Sequence, residues 1–158
     1  LSENSMMAKA KEFIKDFGIK NDAHAGKWHR QVSFLAEASL AKARDMGLEV
    51  GPGDFAENFT TEGIDLLDLP LGTQLRLGKD VLVEISQIGK VCHTRCAIYH
   101  LAGDCIFPRE GIFGVVLHGG VVSAGDAIEV VRRGDGTCTH TPPEALAEVE
   151  AARKAGTL

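Results

Sequence analysis

A chain of 158 residues, 44% of them hydrophobic, is long enough to enclose a core and is expected to form one domain over 1–158. Its formal charge of −5 argues against a general nucleic-acid binder, which carries a basic surface. No stretch is long and apolar enough to span a bilayer, and the first residues lack the basic-then-apolar layout of a signal peptide, so a cytoplasmic setting is expected.

The chain opens on Leu1 rather than Met. In "MMAKAKEFIKDFG", Ala10, Phe13, Ile14 and Phe17 fit a helical stripe, yet the segment suits an extended edge element equally well. "NDAHAGKWHRQVSFL" follows, a polar loop running into an apolar stretch. "LAEASLAKARDMG", from Leu35, is rich in helix formers and ends at Gly47, where a helix would stop. "GPGDFAENFTTEGIDL" is turn-rich.

Four β-rich runs come next: "TQLRLG", "VLVEISQI", "FGVVLHGGVV" and "AIEVVRR". In the second, apolar Val81, Val83 and Ile85 alternate with polar Glu84 and Ser86, the period-two pattern of a strand with one buried face. Short strands punctuated by glycine predict a closed or nearly closed barrel, mostly antiparallel, rather than a doubly wound sheet. A second helix is expected at about 142–155. Thr141 would be its N-cap, Pro142 and Pro143 its first turn, Glu144 the partner in a capping box, and Gly156 its stop. Both helices should pack outside the barrel.

Chemistry-bearing residues gather in three places. Asp22, His24, His29 and Arg30 stand among small residues, where backbone can approach a ligand closely. Histidine offers a donor or acceptor near neutral pH, and arginine a planar fork suited to phosphate. The same residues also fit a solvated loop. Asp54, Glu57, Asn58, Thr60 and Thr61 form the second group. The Asn58 amide is able to read a hydrogen-bonding heterocycle, although an ordinary Asx turn accounts for it as well.

The third place, Gln87 to Phe113, holds three of the four cysteines. Cys92, His93, Cys96, His100 and Cys105 resemble a zinc cluster, but only Cys92 and Cys96 have the tight spacing such sites use. A disulfide is disfavoured in a reducing compartment. The remaining reading is a single functional thiolate at Cys92. Lys90, His93 and Arg95 flank it, and nearby positive charge favours the thiolate. Gly89 should end the preceding strand and bring Cys92 to the barrel mouth, with Cys96 and Cys105 as buried small hydrophobes.

Together, "DAHAGKWHRQVSFL", "GDFAENFTTEGIDLLDLPLGTQLRLG", "EISQIGKVCHTRCAIYHLAGDCIFPREGIFGVVLHGG" and "GDAIEV" resemble the MOSC domain, named from the C-terminal domain of molybdenum cofactor sulfurases, in its small stand-alone form. The match runs from about 18 to 130. The family pattern reads Gly-Asp-x-His-Ala-Gly, and this chain has Asn21 in place of the first glycine. The family's usual first strand is expected to precede Leu1.

The resemblance implies a barrel similar to the pyruvate kinase β-barrel domain, and binding of the molybdenum cofactor (molybdopterin) in carriage, sulfuration or maturation. By the same resemblance Cys92 is the molybdenum ligand or sulfur carrier. His24, His29, Arg30 and Asn58 are then expected to converge with it on the cofactor. A cysteine desulfurase, a molybdoenzyme or a flavin reductase would be the partner; pyridoxal phosphate is not expected in this chain. Two alternatives stand beside it. One is a reductase of N-hydroxylated compounds that uses the same cofactor, and the other is a β-barrel interaction module with structural zinc.

Overall fold

The structure is a computed structural model that describes residues 2–3, 11–51, 55, 57–91 and 107–156. In chain order the strands are β1 (Ser2–Glu3), β2 (Lys11–Ile14), β3 (Gly18–Ile19), β4 (Val32–Ala36), β5 (Phe59–Thr61), β6 (Gln74–Leu77), β7 (Val81–Ile88), β8 (Ile112–His118), β9 (Gly120–Val122) and β10 (Ile128–Arg132). The α-helices are α1 (Glu37–Asp45), α2 (Phe107–Glu110) and α3 (Pro143–Lys154), with a 3-10 turn at Leu66–Asp68. The chain is mostly β, as its glycine-punctuated alternation predicts.

The strands form two sheets. The larger runs β1-β5-β4-β8-β7-β6-β10, and the smaller runs β3-β2-β9. Pairing is antiparallel except between β4 and β5, which are parallel. The order of the larger sheet is linear, with β1 and β10 at its ends, so the expected closed barrel is not formed by the described strands. Two local features account for this. At Gly119–Gly120 the chain leaves the large sheet, and β9 pairs with β2 instead. A Cβ at Gly119 would lie 2.6 Å from Phe13 O, so only glycine admits that crossing. At the other end, β10 carries a register shift between Val130 and Arg132 and is largely exposed, a device that blunts a sheet edge.

One core fills the space between the sheets. Phe13 and Ile19 from the small sheet meet Val32, Phe34, Phe59, Val83, Ile85 and Ile112 from the large one. The Phe59 ring stacks on Phe13 at 5.5 Å and on Phe34 at 6.0 Å. Each fully buried ring contributes about 1.5–3 kcal/mol of transfer free energy. The ambiguous segment before Gly18 is therefore strand over Lys11–Ile14 and a turn after it, because Phe13 anchors β2 to this core.

Two helix expectations need correction. Leu35 and Ala36 are not helical; they pair with Thr60 and Thr61 in the all-buried central strand β4, and α1 begins at Glu37. Leu40 and Ala43 of α1 pack on Leu35 and Phe113, and Gly47 follows at φ 93°. At α3 the N-cap is Pro142 and no side chain caps it. The Thr141 hydroxyl instead donates to Ser86 O at 2.6 Å, so tertiary bonding has displaced the capping box.

Candidate functional site

The loop from Asn21 to Arg30 crosses from β3 to β4, and its shape begins at Asn21. That residue has φ 63°, the left-handed region that asparagine tolerates better than most L-residues. It thus occupies the family's glycine position in a conformation that glycine would adopt freely.

Asp22 is the hub of this loop. Its Oδ2 accepts from His24 N at 2.8 Å and lies 3.2 Å from His24 Nδ1, while its Oδ1 accepts from Asn58 Nδ2 at 2.9 Å. Burial alone would raise the Asp22 pKa. The hydrogen bonds and charge of His24, with the bond from Asn58, outweigh it and hold the carboxyl below 3.8. With Nδ1 facing a carboxylate, His24 directs that nitrogen inward as a donor and turns Nε2 away from Asp22.

Asn58 is 2% exposed, and its Oδ1 accepts from Ser33 N at 2.8 Å. Its amide is therefore committed within the protein, tying the turn before β5 to β4 and to the Asp22 loop. Next to it Glu57 is fully buried, accepting from Thr60 Oγ1 at 2.9 Å and from Phe55 N at 3.2 Å. These bonds fix the backbone on either side of Asn58.

From His24 the network continues to Trp28, whose Nε1 donates to His24 O at 2.7 Å. The Trp28 ring stands edge-on to His29 and 4.6 Å from the Arg30 guanidinium. Arg30 also lies 5.7 Å from the Phe113 ring, and Lys90 Nζ lies 6.0 Å from that ring. Two cations thus share one aromatic platform. Arg30 Nε is buried with no hydrogen-bond partner among the described residues. Burial lowers the Arg30 pKa and the charge of Glu148 raises it, but a guanidinium remains charged.

His29 Nε2 lies 2.8 Å from Gln87 Oε1. Burial pulls its pKa below 6.5, Gln87 pushes it up, Arg30 pulls it down and Glu144 pushes it up, with a net lowering. His29 is accordingly neutral at pH 7. Gln87 itself sits beside a register shift between Ile85 and Gln87. This bulge turns Ser86 so that its hydroxyl donates to His29 O. Gly89, at φ 76°, then lets the end of β7 press against α2, since a Cβ there would lie 2.7 Å from Pro108 O.

The four expected binding residues are therefore linked: Asn58 and His24 through Asp22, and His29 and Arg30 through Trp28. Cys92, with His93, Arg95, Cys96, His100 and Cys105, lies outside the described residues, which stop at Val91 just before it. The zinc and disulfide readings fall on the same stretch. Among the described residues no group of three or more metal-ligating side chains is found, and no helix is long and apolar enough to cross a membrane. A cavity of about 360 Å³ lined by Lys11, Glu12, Ile19, Lys20 and Asn21 touches the network only at Asp22.

Sequence reasoning missed Gln87, Trp28 and the positioning role of Ser86. For Gln87 the strict alternation of Val81, Val83 and Ile85 offered a signal, a polar residue where the next inward one was due, but the register shift after Ile85 moves Gln87 to the other face, opposite Phe113.

The family model for the MOSC domain matches residues 21–129. Among solved structures, that of YiiM from Escherichia coli superposes with a TM-score of 0.67 at 18% identity, covering 98% of this chain and 92% of that one. YiiM from Geobacillus stearothermophilus gives 0.65 at 17% identity, covering 92% and 85%. The YuaD protein from Bacillus subtilis gives 0.65 at 19% identity, covering 77% and 84%. At these identities the likeness is one of fold. No curated protein matches the chain in sequence.

Proposed function

The chain belongs to the MOSC domain family, which is linked in general with the molybdenum cofactor, and from that premise we propose that it binds this cofactor in carriage, sulfuration or maturation. The observation that carries the reading is Arg30: a stacked guanidinium with a buried Nε that no described residue satisfies. Such a donor calls for an external acceptor, because a buried unpaired donor costs about 1–3 kcal/mol.

The residues fit the group. Arg30 and Lys90 would hold its phosphate, since a guanidinium fork and an ammonium are the usual phosphate donors. Trp28 braces Arg30, and neutral His29, fixed by Gln87, offers Nδ1 without adding charge. Asn58 acts at one remove by holding Asp22, which orients His24 Nε2. When bound, the cofactor supplies molybdenum soft enough to accept thiolate sulfur. Cys92, two residues after Lys90, is the proposed thiolate, and Lys90 favours its ionised form.

The Asp22–His24 pair favours a second reading, a reductase of N-hydroxylated compounds. A histidine with one nitrogen held by a carboxylate, and the other without a bond to any described residue, is suited to proton transfer. Metal and pterin analysis of protein purified from a molybdenum-replete host tests both. Stoichiometric molybdenum with pterin is expected; zinc alone would replace this account with a structural metal site. Activity toward a hydroxylamino-purine, given a flavoprotein reductase, separates enzyme from carrier.

A further inference from the structure

His29 and Gln87 form a relay whose proton positions follow from their partners. Gln87 is 3% exposed, and its Nε2 lies 2.8 Å from Gly89 O. A carbonyl only accepts, so the nitrogen end of the amide faces Gly89 and the oxygen end faces His29. Gln87 Oε1 lies 2.8 Å from His29 Nε2, and it too only accepts. Nε2 therefore carries the proton. In a neutral imidazole that leaves Nδ1 with a lone pair, an acceptor bonded to no described residue. The backbone beneath the ring is held as well: the Ser86 hydroxyl donates to His29 O, and that of Thr141 to Ser86 O at 2.6 Å. Arg30, the next residue, has the opposite character. It can only donate, and its Nε is buried with no partner among the described residues. Both groups flank one indole: the Trp28 ring lies 5.8 Å from the His29 ring and 4.6 Å from the Arg30 guanidinium.

We propose that His29 is a specificity-determining residue, locked by Gln87 as a proton acceptor, so that the site beside Arg30 takes an oxyanion only with an O–H or N–H donor next to it. This rests on the anion-binding part of the proposed function and names the chemistry that the site selects. Arg30 grips the bare oxygens, and Nδ1 reads the donor. Hydrogen phosphate carries both in one small ion, because it keeps an O–H at neutral pH. Sulfate carries none and meets Nδ1 lone pair against lone pair. It enters only if His29 takes up a proton from solvent, which turns Nδ1 into a donor. At pH 7.5 that uptake costs about tenfold for an ordinary imidazole, and more here, because burial holds His29 below 6.5. Among the described residues the charged groups acting on the ring are Arg30, which opposes the uptake, and Glu144 of α3, which favours it. A buried acceptor left facing another acceptor is how a site rejects an analogue that lacks one hydrogen.

The test has two arms, both on the full chain at pH 7.5. Long-range proton–nitrogen correlation spectra of the histidine rings report which His29 nitrogen is protonated, and Nε2 is expected. Calorimetry compares inorganic phosphate with sulfate. Phosphate should bind at least about tenfold tighter, and Arg30→Met should abolish binding of both. Gln87→Leu frees the ring to move its proton to Nδ1, so sulfate should gain and the preference largely vanish while phosphate still binds. His29→Gln, at a half-buried position, puts in an amide able to donate; it should also remove the preference and serves if Gln87→Leu does not fold. A proton on Nδ1 in the parent overturns the relay. Equal, Arg30-dependent binding of the two anions, or a preference that survives both variants, overturns the selectivity and leaves the anion site standing. If neither anion binds, or both bind without regard to Arg30, the anion site and the selectivity fall together.

Discussion

Asn58 donates its side-chain amide to Asp22 at 2.9 Å across a separation of 36 residues, and accepts from Ser33 N at 2.8 Å with the same group. One buried amide thus joins β4, the turn before β5 and the loop that carries His24. Asn58→Ala would leave the buried Ser33 N–H without this acceptor and Asp22 Oδ1 without this donor. The expected loss is about 2–4 kcal/mol of stability, from one or two unpaired buried groups, measured by urea unfolding. A variant as stable as the parent would show that the tie is idle.

His29 gives a pH prediction. Burial holds its pKa below the unfolded value of 6.5, so between the two values the unfolded chain binds more protons. Stability from this residue is therefore present above 6.5 and lost as pH falls through the folded value. Gln87→Leu removes the hydrogen bond that pushes the value up and should drive it lower still. Two-dimensional NMR titration of the His29 ring reads both. A His29 that titrates above 6.5 would contradict the buried, neutral assignment.

Asn21 tests the loop itself. Its left-handed backbone at φ 63° costs an ordinary L-residue about 1–2 kcal/mol. Asn21→Gly should leave melting temperature unchanged or slightly raised. Asn21→Val should lower stability by at least that amount, and weaken anion binding by displacing Asp22. Equal stability of the two variants would mean that the turn relaxes.

Much of this fold is legible in the sequence, for reasons visible at single residues. Val81, Val83 and Ile85 are inward and buried as their period-two spacing requires, and Gly89 ends β7 where it was expected to. What local reasoning misses is decided by tertiary partners. Leu35 and Ala36 are fair helix formers, but they lie between β5 and β8 in a central strand. Thr141 has the pattern of an N-cap, yet a carbonyl on β7 takes its hydroxyl. The barrel failed to close because Gly119–Gly120 diverts the chain into a second sheet, and the sequence shows those glycines without showing the sheet they lead to. At the site, His24, His29 and Arg30 stand out by residue type. Gln87 and Trp28 matter through contacts that only the fold creates.

Cys138 should be chemically quiet. It is a buried free thiol; burial raises its pKa from 9.0, and its hydrogen bond to Glu84 at 3.1 Å raises it further. A thiol held protonated is a poor nucleophile. Labelling of the native protein with a chromogenic disulfide at pH 7.5 should reach Cys138 only on unfolding, as peptide mapping would show. Fast native labelling of Cys138 would contradict this.

The central claim is that one thiolate, Cys92, handles the cofactor beside Arg30 and Lys90. Serine keeps the size of the side chain but replaces a soft sulfur with a hard hydroxyl. The most direct measurement is the molybdenum content, with persulfide labelling and melting temperature, of Cys92→Ser, Cys96→Ser and Cys105→Ser purified from a molybdenum-replete host. Cys92→Ser is expected to melt like the parent and to lose molybdenum and sulfur loading, while the other two keep loading and lose only stability. Full loading of Cys92→Ser would contradict it, and joint loss of zinc with unfolding in all three would make the stretch a structural metal site.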